Sequence, residues 1–71
     1  MNYSNEIQCL LLQELGELPQ GRLRKKVMQL AADRGETFDK HAYLGALDDL
    51  IHLRRIRPDD GNWVLLRRSS S

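Results

Sequence analysis

The sequence predicts a single small α+β domain, three helices followed by a β-hairpin. Three observations carry this prediction. Residues 39–66 read as a helix from about Lys40 to Leu53, then two short apolar runs split by Pro58-Asp59-Asp60-Gly61. The Asp-Gly pair is a strong hairpin-turn signal. Upstream, apolar residues recur at helical spacing in two further segments, which is the mark of helices with one buried face. Gly16, Pro19, Gly21 and Gly35 fall between the periodic segments, where chain-breaking residues belong.

The first helix is expected over about Glu6 to Leu15. Asn5 is placed to cap it and Gln8 to reach back as a capping box. Ile7, Leu11 and Leu15, with Leu10 and Leu18 beside them, form its buried stripe, and Gly16 suits a left-handed stop. Glu17 to Gly21 then reads as a connector. The second helix is expected over about Arg22 to Arg34, with Leu23, Val27, Leu30 and Ala31 facing inward and Gly35 ending it. For the third, Asp39 is the better cap, and Phe38 and Tyr43 stand at the two positions of a hydrophobic staple. Tyr43, Leu47, Leu50 and Ile51 make its core stripe. In the hairpin, Ile56-Arg57 is a short strand and Asn62 to Arg67 the return strand, Trp63 and Leu65 sharing one face. Pro58 fits a turn or an edge. The domain thus spans residues 1–66, and residues 67–71 read as a short polar tail.

Composition bounds the function. Seventy-one residues make one domain, and so short a chain buries only about 60% of its unfolded surface. Formal net charge is +1, so the chain as a whole does not advertise a polyanion partner. Its distribution is uneven. Residues 1–19 hold Glu6, Glu14 and Glu17 and no Lys or Arg, whereas residues 20–71 hold all eleven basic residues against seven acids. Cys9 is the only cysteine, which excludes a disulfide framework and a thiolate metal cluster. No apolar run approaches the roughly 20 residues of a membrane span, and the start lacks a basic segment leading into an apolar one. A cytoplasmic protein is expected.

The spacing Leu47-x-x-Leu50, then Arg54-Arg55-Ile56, then Asp60-Gly61-x-Trp63-Val64-Leu65 resembles the cadence of the winged helix-turn-helix superfamily. Ala31-x-x-x-Gly35 is similar to the alanine-to-glycine spacing of a helix-turn-helix. The resemblance covers about residues 6–66 and concerns architecture, with no one family singled out. It implies duplex DNA as partner, with the third helix toward the major groove and the wing toward the minor groove or flanking phosphates. Two departures stand out. The turn after Gly35 is about two residues longer than the tight form, the next apolar residue being Phe38. The positions that would meet base edges are Lys40, His41, Leu44, Gly45 and Asp48, of which only the first two suit base reading.

The expected contacts are therefore mainly to phosphates. Arg22, Arg24, Lys25 and Lys26 crowd the start of the second helix, against its dipole unless an anion compensates. Lys40 and His41 open the third, and Arg57 and Arg67 bracket the wing, whose tip Asp59-Asp60 is acidic. The leading expectation is a small DNA-binding regulator of transcription or replication, contacting mainly backbone phosphates with weak sequence selectivity and acting as a homodimer or within a larger complex. The rival is a winged helix used for protein contact, presenting Leu44, Asp48 and Asp49. Met28, Leu12 and Leu44 are candidates for apolar exposure. No catalytic or metal-ligating set is expected, and no cofactor. His41 and His52 are about three turns apart on one helix and Cys9 stands alone.

Overall fold

The computed structural model describes residues 1–66. Helix α1 spans Tyr3–Gln13, strand β1 Glu17–Pro19, helix α2 Gln20–Asp33, helix α3 Lys40–His52, and strands β2 and β3 Ile56–Asp59 and Asn62–Leu65. This is a small α+β domain whose layout, three helices and a terminal hairpin, is compatible with a winged helix.

The helix ends follow from local chemistry. Asn2, not Asn5, caps α1: its side chain accepts from the Asn5 N–H at 3.2 Å. Gln8 accordingly donates to the Ser4 carbonyl and forms no capping box. The C-terminal end differs from expectation for a related reason. Leu15, not Gly16, takes the first left-handed position (φ 62°), and Gly16 follows at φ 88°. The Gly16 N–H bonds the Leu11 carbonyl at 2.7 Å, closing a Schellman motif one residue early. Leu15 consequently leaves the buried stripe and stands 94% exposed. Helix α2 starts two residues sooner than its charge cluster suggests, directly after Pro19, and has no side-chain cap. Gly35 (φ 70°) ends it as expected, with the Glu36 N–H on the Ala31 carbonyl. Helix α3 is capped by Asp39, whose carboxylate accepts from the Ala42 N–H at 3.1 Å. Its staple forms, with the Phe38 and Tyr43 rings 5.4 Å apart. Tyr3 joins them edge-on and accepts a hydrogen bond from the Asp39 N–H, so the starts of α1 and α3 are tied together.

The connector after Gly16 contains a strand that sequence periodicity did not reveal. β1 pairs antiparallel with β3, Glu17 opposite Val64 and Leu18 opposite Trp63, giving a three-stranded sheet in the order β1-β3-β2. The hairpin register, Asp59 opposite Asn62, leaves Asp60 and Gly61 as a two-residue turn. Both have positive φ, 50° and 80°, as a type I′ turn requires. Pro58 lies in the edge strand β2, the one sheet position where its missing N–H costs no ladder bond.

The core gathers Ile7 and Leu11 of α1, Leu18 of β1, Leu23 and Val27 of α2, Tyr43, Ala46, Leu47 and Leu50 of α3, and Ile56 of β2. Leu30 and Ile51, expected inside, are half-buried, and Trp63 and Leu65 cover the core from β3. Both α2 and α3 pack against α1, yet no Cα of α2 lies within 8 Å of one in α3. A groove therefore runs between these two helices, floored by side chains.

Candidate functional site

The groove consists of two hollows that meet at Arg24. One, of about 290 Å³, is lined by Gln20, Gly21, Arg24, Tyr43, Leu44, Leu47 and Trp63. The other, of about 400 Å³, is lined by Arg24, Lys25, Met28, Phe38 and Lys40. The helical repeat of about 100° per residue explains the membership. On α2, with Leu23, Val27 and Ala31 turned inward, Arg24 and Met28 fall on the flank beside α3. Lys26 and Leu30 fall on the flank beside α1.

The four-residue basic cluster is thereby sorted. Arg24 and Lys25 line the groove. Lys26 is drawn the other way, its Nζ 3.4 Å from a Glu14 carboxylate oxygen. Arg22 is exposed and sits about 200° round the helix from Arg24. Lys40 closes the far end of the groove from the first turn of α3, and His41 beside it is exposed. Among the described residues, none of Arg22, Arg24, Lys25 and Lys40 makes a salt bridge; Glu6 and Glu14 pair instead with Arg34 and Lys26. The first turn of α2 contains no acid; its Gln20 N–H is taken by the Gly61 carbonyl at 3.0 Å, and the N–H groups that follow add to the positive charge of Arg24 and Lys25.

The wing is not continuous with it. Helix α2 packs on β1 and β3 and makes no close backbone approach to β2, which carries Arg57. Arg57 also faces Asp59 at 3.9 Å. Arg67 lies outside the described residues.

The three residues of the protein-contact reading divide as well. Leu44 is 48% exposed in one hollow of the groove, and Met28 is 45% exposed in the other. Asp48 is on the same outer side of α3, its carboxylate 3.6 Å from the His52 ring. The His52 pKa is raised, first by the ring's hydrogen bond to the Asp48 carbonyl and then by the carboxylates of Asp48 and Asp49. Asp49 instead lines a shallow depression between α3 and the start of α1, with Met1 to Ser4, Ala42 and Gly45. Leu12 is exposed on α1, well outside the groove lining, and Cys9 is exposed too. Sequence reasoning did not single out Trp63, Phe38 and Gly21 as groove residues. The only signal was their apolar or small character beside the basic cluster.

Among the described residues no His, Cys, Asp and Glu side chains gather in a way that could hold a metal ion. No helix there is long and apolar enough to cross a membrane. Comparison with protein-family models, curated proteins and solved structures gave no match.

Proposed function

We propose that this domain is a winged helix that binds duplex DNA chiefly through backbone phosphates and serves as a regulator of transcription or replication. The observation that carries the reading is the convergence of Arg24, Lys25 and Lys40, all without a carboxylate partner among the described residues, on one hollow beside the first two turns of α2, whose first turn holds no acid. Phosphate oxygens there meet side-chain charge and helix N–H groups together. Sequence selectivity is weak in this reading, because the outer side of α3 offers Leu44, Gly45 and Asp48 beside Lys40 and His41.

The test is a salt series with random duplex, read by fluorescence anisotropy. With about three phosphates neutralised, log K against log salt has a slope near −2.7, and Arg24→Ala, Lys25→Ala or Lys40→Ala each flattens it by about 0.9. Lys26→Ala, whose charge is already engaged by Glu14, leaves the slope alone. Absence of binding at low salt, or a slope indifferent to the triple substitution, rules the reading out.

A second reading, a module for protein contact, draws on Met28 and Leu44. Large apolar side chains half-exposed on both sides of a groove are what a protein partner covers and a phosphodiester chain does not.

A further inference from the structure

We propose that the groove between α2 and α3 receives an acidic amphipathic helix of a partner protein, and that this helix and duplex DNA exclude one another. The inference rests on the protein-contact reading and names its partner.

The groove combines two features that neither ligand class explains alone. Its surface includes Met28 and Phe38 in one hollow and Leu44 and Trp63 in the other, with Arg24 common to both. These side chains gain from being removed from water by another apolar surface. Its rim carries Arg24, Lys25 and Lys40, which lack carboxylate partners among the described residues. A ligand matching both must present apolar side chains on one line and carboxylates flanking it. An amphipathic helix does this with aliphatic residues at i, i+3, i+4 and i+7. A helix laid along the groove reaches both hollows with one face, since its side chains three and four residues apart lie on the same side. An extended segment would be drawn instead to a sheet edge, where it finds backbone partners.

Charge also sets the orientation. Asp48 follows Leu44 by one turn of α3 and leans toward His52. The partner's carboxylates therefore collect at the Lys40–Arg24–Lys25 end, and its uncharged end lies toward Asp48. Because the same three cations serve phosphate binding, occupancy by the helix removes the DNA site.

The experiment uses the full chain and a fluorescein-labelled peptide of about sixteen residues, leucines in the i, i+3, i+4, i+7 pattern and glutamates on the flanks, against a scrambled peptide of the same composition. At about 0.15 M salt the patterned peptide is expected to bind at least about tenfold more tightly than the scrambled one. Met28→Ser with Leu44→Ser is expected to weaken it by about tenfold or more. Lys40→Gln is expected to weaken both ligands. Circular dichroism melts confirm that the variants, altered at half-exposed positions, remain folded. Unlabelled patterned peptide should displace labelled duplex. Equal affinity for the scrambled peptide overturns the proposal, as does indifference to the double serine variant or simultaneous binding of peptide and duplex. If duplex binding is absent while the patterned peptide binds as described, the DNA reading and the mutual exclusion fall, and the peptide site stands.

Discussion

Tyr43 shows how a single side chain can be secured by packing while one of its atoms is left wanting. Its ring sits among Tyr3, Phe38 and the α3 core, and the residue is only 2% exposed. Its hydroxyl, fully enclosed, has no hydrogen-bond partner. Burial pushes its pKa from 10.0 up to about 12, with the Arg24 charge acting in the opposite direction. A phenol whose folded pKa exceeds its unfolded one binds its proton more tightly when folded. Its contribution to stability is complete below pH 10 and is lost as pH rises toward 12. An unpaired buried hydroxyl costs on the order of 1 kcal/mol or more. Tyr43→Phe is accordingly expected to stabilise the domain by about 1 kcal/mol at neutral pH and to reduce the loss of stability in alkali. Urea melts of both proteins at neutral and alkaline pH measure this. A destabilised phenylalanine variant would mean the hydroxyl is bonded in solution.

At the scale of elements, all three helices end in the same hydrogen-bonding motif, and two of them do so without glycine. Leu15 at φ 62° and Arg54 at φ 57° occupy the left-handed position, with the Gly16 and Arg55 N–H groups bonding back to Leu11 and Leu50. A side chain in that conformation costs about 1–2 kcal/mol, against roughly 0.5–1 kcal/mol for the extra chain entropy of glycine. Leu15 contributes almost no burial. Leu15→Gly should therefore raise stability by about 0.5–1 kcal/mol, visible as a higher Tm with no change in the helical signal. The same position explains where sequence reasoning stopped. Helix α3 was legible because its cap, staple and stripe all agree. The end of α1 was misjudged because Gly16 is the residue that favours a left-handed stop, while the closing hydrogen bond to Leu11 uses Leu15 in that role. Strand β1 was hidden because Glu17-Leu18-Pro19 has no periodicity of its own; it exists through Trp63 and Val64. In the groove, the residue types were legible and their sorting was not. Whether Arg24 or Lys26 meets an acid depends on how α2 is rotated against α1, which only packing decides.

At the scale of the whole molecule, the first strand lies between the first two helices in sequence but is held by the last strand. Leu18 is buried against that closure, only 4% exposed, and the Leu65 N–H donates to the Gly16 carbonyl beside it. Joining such distant parts of a chain carries a loop-closure cost that local helix formation does not. The pairing of β1 with β3 is thus the contact expected to form after the folding barrier has been crossed. Leu18→Ala, which removes side-chain bulk from that seam, should then speed unfolding in proportion to the stability lost and leave the refolding rate nearly unchanged. Stopped-flow chevrons resolve the two arms; a slowed refolding arm would place the closure in the nucleus. The lifetime of the folded domain, as distinct from the speed with which it forms, is in this way set by a three-residue strand.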